Sequence, residues 1–249
     1  MTQHCESLQS LLINLKSDLH SGQKLLMVFD LDSTLFDVSP RIQKILEDLR
    51  DQDQIRKAFP ELLPFLKDIR TQRTDWGIKS ALTRAFEKAS FPPSPDFQNA
   101  ARDFWARHFF SNEYLHFDHP VEGAVDFVNE LHQLKIDIAY LTGRDWERMG
   151  PGTLEVLKKW KFPELNDKSV LLAMKPQKGS DDSFFKSTWF ESLKPHAYNR
   201  ILFFDNEPKI LHHVELQHPE IEIIFMETTH SGKAEPNKSW ITIPHFLVR

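Results

Sequence analysis

The sequence predicts an α/β protein in which a mainly parallel sheet lies between layers of helices and carries an inserted all-helical segment. Apolar runs without polar alternation, such as Leu25–Phe29 and Ile201–Phe204, are typical of strands buried on both faces of a parallel sheet. Helical patterns alternate with such runs over most of the chain. From about residue 38 to residue 119, however, helix follows helix without a convincing strand, which predicts the insertion.

The N-terminal part of the chain is predicted to begin with an amphipathic helix that ends near Gly22. The apolar residues of this helix recur at helical spacing and are Leu8, Leu11, Leu12, Leu15 and Leu19. The first buried strand follows it. Ser39 and Pro40 then supply an N-cap and a proline at the first helical position, and two more helices of the insertion are indicated around Ile78–Phe86 and Phe97–His108.

Beyond the insertion, strands and helices alternate with short loops, which implies parallel strands joined by right-handed crossovers. The predicted elements are a helix over 121–134, a strand over 136–141, a helix over 153–160, a strand over 170–173, a helix over 182–193, a strand over 201–204, a helix from 208 and a strand over 221–226. The chain therefore divides into a first core segment (1–37), the helical insertion (38–119) and the rest of the core (120–249).

Composition excludes several classes of protein. The 249 residues are 40% hydrophobic and 27% charged, as is ordinary for a soluble globular protein. A net charge of −5 without a basic cluster argues against nucleic acid as a partner. No apolar stretch approaches the roughly 20 residues that span a bilayer, and the single Cys5 cannot form an internal disulfide. We expect a cytoplasmic protein without a membrane partner, whose oligomeric state the sequence does not encode.

The first strand ends in two carboxylates, Asp30 and Asp32, whose side chains project to the same side of extended backbone. Ligands of parallel α/β sheets bind beyond the carboxyl ends of the strands. Two acids at such a position can hold a hard cation and can divide nucleophilic attack and proton transfer between them. These are the requirements of phosphoryl transfer.

Four sequence motifs occur in the order used by the haloacid dehalogenase superfamily, and they cover the chain from Leu25 to about Met226. The segment Asp30-Leu31-Asp32-Ser33-Thr34 resembles the first motif, D-x-D-x-T, and Thr142 ends a strand as in the second. Lys186 resembles the lysine of the third motif, and Asp205 begins an acidic segment that resembles the fourth. The resemblance implies a Rossmann-like three-layer core, in which the insertion is a mobile cap over the active site.

The resemblance also implies roles for the acids. Asp30 is then the nucleophile that forms an aspartyl phosphate, and Asp32 protonates the leaving alkoxide and later deprotonates the attacking water. A Mg²⁺ ion is the implied cofactor, bound by Asp30, by the backbone carbonyl of Asp32 and by Asp205. The second acid favours phosphotransfer over dehalogenation.

The remaining site residues are implied to contact the phosphorylated substrate. Thr142 is expected to donate its hydroxyl to a phosphate oxygen, and Lys186 to offset the negative charge of phosphate and nucleophile. Thr34 and Gly143 are expected beside the substrate. Arg144 either contacts phosphate or substrate from a loop at the same sheet edge or forms a surface salt bridge.

Several assignments stay open on the sequence alone. Lys175 lies, like Lys186, between the second and fourth motifs. Glu207 either contacts the metal through a bound water or takes no part in the metal site. Asp37 either faces the substrate or caps a helix, and His230 follows the last strand and so approaches the cleft. The aromatic cluster of the insertion favours a hydrophobic interior over a stacking platform; its members are Phe104, Trp105, Phe109 and Phe110.

The sequence thus favours a Mg²⁺-dependent phosphatase that acts on a small soluble phosphomonoester. A phosphomutase or another phosphotransferase of the superfamily is the nearest alternative, because it shares the aspartyl-phosphate intermediate. A binding or regulatory protein that has kept the fold without turnover is the alternative from another class. Two departures from the family pattern are notable: Ser33 replaces a common glycine, and Asp205-Asn206-Glu207 replaces a glycine-aspartate pair.

Overall fold

The computed structural model describes residues 2–90, 94–166, 168–194 and 197–248. Its strands are β1 (Leu25–Phe29), β2 (Phe36–Asp37), β3 (His119–Pro120), β4 (Asp137–Asp145), β5 (Val170–Lys175), β6 (Arg200–Asp205), β7 (Glu222–Met226) and β8 (Ile241–Ile243). Six of them form one parallel sheet in the order β5-β4-β1-β6-β7-β8. β4 and β5 are added on one side of β1, and β6, β7 and β8 follow on its other side. Such a reversal of strand order opens a crevice at the carboxyl ends of the strands.

Strand β1 lies at the centre of the sheet and is buried on both faces. Its register pairs Leu26 with Asp137 of β4 and with Ile201 of β6. Alternate side chains enter two different hydrophobic clusters, Met27 on one face and Val28 on the other. An apolar residue at every position is therefore required, which explains the unbroken apolar run in the sequence.

The helices are α1 (Thr2–His20), α2 (Ser39–Asp51), α3 (Asp53–Ala58), α4 (Leu63–Leu66), α5 (Lys79–Ala89), α6 (Pro95–Phe109), α7 (Ala124–Gln133), α8 (Trp146–Lys159), α9 (Asp182–Glu191) and α10 (Pro208–Gln217), with short 3-10 helices at Pro60–Leu62 and Asn112–Phe117. Side chains of α1, α7 and α8 share a buried cluster on one face of the sheet. Those of α9 and α10 pack on the other face. The core therefore has the three layers that the sequence predicted.

Helices α2 to α6 bury a hydrophobic cluster of their own, separate from the two clusters of the sheet. Its centre includes Ile45, Phe86 and Phe97, all nearly inaccessible to solvent. The segment leaves the core at β2 and returns at β3, and these two strands pair antiparallel, with Phe36 opposite Pro120. Its two connections to the core are therefore adjacent in space.

Some local predictions were wrong in detail. β4 extends through Arg144 to Asp145, although the sequence placed these residues in a loop. Ser39 is inside α2 and does not cap it. The N-cap residue is Val38, and the Asp37 carboxylate accepts the N–H of Ser39 at 2.8 Å, which satisfies one free N–H group of the first turn. Strand β8 was not predicted. Within the described residues, no helix combines the length and apolarity needed to cross a membrane.

Candidate active site

The turn after β1 begins with Asp30, whose N–H still donates to the carbonyl of Phe204 in β6 at 2.9 Å. The chain then reverses, because the carbonyl of Leu31 accepts the N–H of Phe36 at 2.9 Å. Ser33 has φ +61°, in the left-handed region that favours glycine. This conformation explains why a glycine suits the position, and it keeps Asp30 at the carboxyl edge of the sheet.

Three predicted site residues meet at that edge. Lys186, from α9, donates from Nζ to Asp30 Oδ1 at 2.6 Å and to Asp205 Oδ2 at 2.6 Å. All three side chains are buried, Asp30 after β1 and Asp205 at the end of β6. Neighbouring parallel strands end at the same sheet edge, which is why residues 175 positions apart in the chain come together.

The charges of this cluster do not balance. Burial raises the pKa of Asp30 to about 7, although the Lys186 ammonium opposes the rise. Burial also raises the pKa of Asp205, against the same ammonium. Burial lowers the pKa of Lys186, but Asp205 and Asp30 raise it by more, so the lysine stays charged. Two carboxylates share the single ammonium of Lys186, so a further cation at this site would be stabilised electrostatically.

The structure brings Lys186 to the nucleophile candidate and leaves Lys175 elsewhere. Lys175 Nζ donates to Asp182 Oδ1 at 2.5 Å and to the carbonyl of Ser180 at 3.2 Å. Its ammonium thus binds the start of α9, and this contact organises the loop between β5 and that helix. Of the two lysines that the sequence left open, Lys186 is the one that contacts Asp30.

Asp32 belongs to a second charged cluster, formed with two buried arginines. Arg144 donates from Nε to Asp32 Oδ2 at 3.0 Å and from Nη2 to Asp32 Oδ1 at 2.7 Å. Arg41, in the first turn of α2, also donates to Asp32. Burial raises the pKa of Asp32, but the guanidinium groups of Arg144 and Arg41 lower it by more, to below its ordinary range. In this arrangement Asp32 is an ionised carboxylate.

Asp118 completes the second cluster from the returning connection of the insertion. Arg144 Nη2 donates to Asp118 Oδ2 at 2.8 Å. Arg41 Nε lies 2.9 Å from Asp118 Oδ1 but is not aligned as a hydrogen bond. Burial raises the pKa of Asp118 to about 6, since the two arginines that lower it are shared with Asp32. Both ends of the insertion thus meet at this cluster, because Arg41 follows the outgoing connection and Asp118 lies on the returning one.

Three predicted substrate contacts lie in different surroundings. Thr142 and Gly143 line the cavity at the end of β4, and the N–H of Arg144 donates to Thr142 Oγ1 at 3.3 Å, which leaves the Thr142 hydroxyl proton free for an acceptor. A Cβ on Gly143 would lie 2.9 Å from the Asp182 carboxylate, so a larger residue there would have to displace that side chain. Thr34, in contrast, is outside the cavity lining and donates to Asn206 Oδ1 at 3.2 Å.

The loop after β6 is fixed to the loop after β7. Glu207 accepts the N–H of Ser231 at 2.9 Å and its hydroxyl at 2.8 Å. Glu207 and Ser231 both line the cavity. His230, which the sequence placed near the cleft, is not part of the lining; its Nδ1 accepts the N–H of Gly232 at 3.2 Å. At the cavity, the loop after β6 thus presents the charged side chain of Glu207, and the loop after β7 presents that of Lys233.

A cavity of about 340 Å³ lies between the carboxyl edge of the sheet and the insertion. Its floor is polar and includes Asp30, Thr142, Lys186 and Asp205. Its opposite wall comes from the insertion and is mainly aromatic; the aromatic residues, called the aromatic roof below, are Trp76, Trp105, Phe109 and Phe110. Volume and lining are typical of a small-molecule site.

Sequence reasoning missed several residues of the cavity and its surroundings. Arg41 recurs at helical spacing with Ile45 and Leu49 on the buried face of α2, and a charge at such a position was the available signal. Trp76 is 53% exposed beside Gly77 in a loop, where no packing role explains a large aromatic residue. The aromatic cluster predicted to be an interior is partly that, but three of its members also line the cavity.

The residues at the floor fit a Mg²⁺ ion. Asp30 and Asp205 supply buried carboxylate oxygens, and the Lys186 ammonium neutralises their negative charge only in part. Hard cations prefer such oxygen ligands. The side chain of Asp32 is held by arginines, so only its backbone carbonyl is available as a ligand. Within the described ranges, no three His, Cys, Asp or Glu side chains converge as a metal site. Two carboxylates, a carbonyl and waters are a ligand set of the kind Mg²⁺ uses.

Comparison with known proteins gives a family and a fold. The family model for haloacid dehalogenase-like hydrolases matches residues 25–202. None of the curated proteins matches the sequence. Among solved structures, a candidate phosphatase from Clostridium difficile is 13% identical, with 82% of this chain and 86% of that chain covered and a TM-score of 0.50.

Two other solved structures have comparable similarity. A HAD-superfamily hydrolase from Ehrlichia chaffeensis is 11% identical, with 90% of this chain and 93% of that chain covered and a TM-score of 0.48. A protein from Haemophilus somnus, described as a predicted phosphoglycolate phosphatase, is 14% identical, with 89% and 94% covered and a TM-score of 0.47. At such identities the similarity concerns the fold alone.

Proposed function

The chain belongs to the haloacid dehalogenase-like hydrolases, and on that premise we propose that it is a Mg²⁺-dependent phosphatase of a small phosphomonoester. The observation that carries this proposal is the contact of Lys186 with both Asp30 and Asp205, at 2.6 Å each, on the floor of the cavity. A nucleophilic carboxylate must approach an anionic phosphate, and a buried ammonium beside it reduces their repulsion.

In the first step, an Asp30 carboxylate oxygen attacks phosphorus, and the bond to the leaving oxygen breaks with its electron pair. Thr142 donates its hydroxyl to a phosphate oxygen, and Lys186 offsets the charge of phosphate and nucleophile. Asp30, Asp205 and the carbonyl of Asp32 would hold the Mg²⁺ ion, which supplies charge neutralisation and alignment of the phosphate when bound. In the second step, water attacks the phosphorus of the aspartyl phosphate and regenerates the Asp30 carboxylate.

Asp32 takes the role of base in this scheme. Both arginines keep Asp32 ionised, so in this arrangement it can accept a proton but cannot give one, and the same contacts make it a weaker base than a free aspartate. We therefore assign it the deprotonation of the attacking water. In this arrangement the leaving alkoxide takes its proton from water. Protonation by Asp32, which the family pattern implies, requires that Asp32 first be protonated, and therefore that its contacts with Arg41 of α2 and with Arg144 of β4 both weaken.

Residues 38–119 act as the cap of the proposed enzyme. They contribute one wall of the cavity, and both of their connections reach the cluster around Asp32. A cap in this place excludes bulk water from the phosphate site and strengthens its electrostatic interactions. It also contacts whatever group carries the phosphate.

The test is release of inorganic phosphate by the purified protein with Mg²⁺ from a panel of phosphorylated sugars, nucleotides, amino acids and short acids. We expect turnover by the wild type and none by Asp30→Asn, because an amide does not form the acyl phosphate. Asp137→Asn, at the far end of β4, is the matched control and should remain active. Wild-type activity in Asp30→Asn would refute covalent catalysis.

The same assay separates the alternatives. A phosphomutase or phosphotransferase returns the phosphoryl group to an organic acceptor, so product analysis by phosphorus NMR would show a new phosphate ester instead of free phosphate. A protein that only binds would leave every ester intact while ligand binding remained measurable by calorimetry.

A further inference from the structure

We infer that the phosphate ester carries a planar aromatic ring, which stacks on the aromatic roof while the phosphate lies on the floor; this inference rests on the proposed phosphatase function. Three residues of the roof are in mutual contact, with ring centroids 4.9 Å apart for Trp105 and Phe109 and 5.0 Å apart for Phe109 and Phe110. All four residues of the roof line the cavity that contains Asp30.

The roof offers almost no hydrogen-bonding group to a ligand. Among the described residues of the insertion that line the cavity, Asp75 is the single charged one. Its carboxylate is occupied by Arg84, at 2.5 and 2.6 Å, and by the N–H of Gln72 at 2.8 Å. The indole N–H of Trp105 is buried away from solvent and has no partner. A ligand that reaches the roof therefore meets carbon surfaces.

This surface selects against polyhydroxylated leaving groups. A sugar that enters the cavity loses water from its hydroxyls, and an aromatic wall does not replace those hydrogen bonds. A planar heterocycle loses fewer hydrogen bonds to water on entering, because the surface that it places against the aromatic wall is a flat π-face. Trp76 suits this contact, since half of its side chain is exposed and the next residue, Gly77, lies beside the Trp105 ring without a side chain of its own.

The position of Phe109 is fixed independently of any ligand. The Arg41 guanidinium lies 4.0 Å from the centre of its ring, and Arg41 Nη1 donates to the Phe109 carbonyl at 3.1 Å. Because the same arginine binds Asp32, the roof and the catalytic turn are held in a defined relation. A cavity of about 340 Å³ between them accommodates a phosphate and one ring system, but not a macromolecule.

The test compares uridine 5′-monophosphate and pyridoxal 5′-phosphate with ribose 5-phosphate. All three are esters of a primary alcohol, and the nucleotide differs from ribose 5-phosphate by its base. We expect kcat/KM to be roughly 10- to 100-fold higher for at least one aromatic ester, the range that one stacked ring supplies. Equal kcat/KM for all three esters would overturn the inference.

Two variants locate the preference. Trp76→Leu keeps an apolar side chain without a stacking face, and should reduce the ratio of kcat/KM for the aromatic esters to kcat/KM for ribose 5-phosphate at least severalfold. Trp146→Leu is the control, because Trp146 is 50% exposed and does not line the cavity. An aromatic preference that persists in both Trp76→Leu and Phe110→Leu would contradict stacking on the roof.

A binding measurement separates this inference from the proposed function. Calorimetric titration of Asp30→Asn, which forms no acyl phosphate, with uridine 5′-monophosphate, pyridoxal 5′-phosphate and ribose 5-phosphate in Mg²⁺ should give tighter binding of an aromatic ester. If no ester releases phosphate in an Asp30-dependent manner, the phosphatase proposal fails, and the titration alone decides the aromatic preference. Equal affinities in the titration would reject that preference whatever the activity.

Discussion

Lys186 and Lys175 show how much a single residue depends on its position. Both lie between the second and fourth motifs, and both ammonium groups bind a carboxylate at 2.5–2.6 Å. Lys186 is 1% exposed and bridges two acids at the floor of the cavity, whereas Lys175 binds Asp182 at the start of α9. One lysine therefore lies at the proposed phosphate site, and the other binds the start of α9.

Exchanging each lysine for methionine separates these roles. Lys186→Met leaves Asp30 and Asp205 without their shared ammonium, and we expect kcat to fall by about 10²- to 10³-fold, the usual cost of removing an electrostatic stabiliser. Lys175→Met should keep kcat within a few fold of wild type. The comparison uses phosphate release at saturating Mg²⁺, with circular dichroism to verify folding. Similar losses in both variants would contradict the assignment.

Arginine positions 144 and 148 make a second matched pair, with stability as the readout. Arg144 is buried and compensates Asp32 and the buried Asp118, so Arg144→Met should cost about 3 kcal/mol of unfolding free energy, because each acid keeps only Arg41 as an arginine partner. Arg148 is partly exposed and binds Asp145, so Arg148→Met should cost about 1 kcal/mol or less. Urea unfolding measures both, and equal costs would show that the buried cluster is not compensated as described.

Among the elements, the main strands of the core were predictable from the sequence. The end of β4 and the short strands β2 and β3 were not. The apolar runs of β1 and β6 and the acids that follow them are local signals that predict Asp30 and Asp205, whereas Lys186 was predicted from the resemblance to the third family motif. The sequence predicts a loop at Arg144, because a polar Thr-Gly-Arg segment is not typical of a strand, yet β4 continues past an irregularity there and pairs Asp145 with Lys175 of β5. The short β2 and β3 have no local signal, since their pairing depends on the insertion between them.

The β2–β3 pair and the Arg41–Asp118 contact are the hinges of the insertion in our proposal. We predict that amides near 37–41 and 116–121 change their hydrogen-exchange protection when Mg²⁺ and beryllium fluoride, a phosphoryl mimic, are added. The Asp30→Asn protein lacks the carboxylate that binds the mimic and should show no change. Identical exchange of these amides in the wild type with and without the mimic would mean that the insertion is static.

At the scale of the whole molecule, the site is shared between two parts of the chain. The sheet edge supplies the floor, and the insertion supplies the aromatic roof and Arg41. The floor followed from the sequence because strand ends converge by topology. The roof did not, since helical periodicity identifies the buried face of α6 without showing that Trp105 and Phe109 also face a cavity. Contacts between parts distant in sequence are tertiary information.

The unbalanced charge at the floor predicts a stabilisation by Mg²⁺ that does not depend on turnover. Binding to the native state alone should add about 2.7 kcal/mol at a Mg²⁺ concentration of 100 times Kd, which raises Tm by roughly 5–10 °C for a protein of this size. Asp205→Asn should abolish the shift, and a chelator should reverse it in the wild type. A wild-type Tm that ignores Mg²⁺ would argue against a cation at this site.

The central place of β1 also has a consequence for the order in which the protein forms during synthesis. Its partners in β4 and β6 come more than a hundred residues later in the chain. At a synthesis rate of about 5–20 residues per second, β1 waits on the order of 5–20 s for its first neighbour. The insertion has its own hydrophobic cluster and is completed within that interval. We therefore expect the wall that receives the ligand to take shape on the ribosome before the edge that carries the nucleophile.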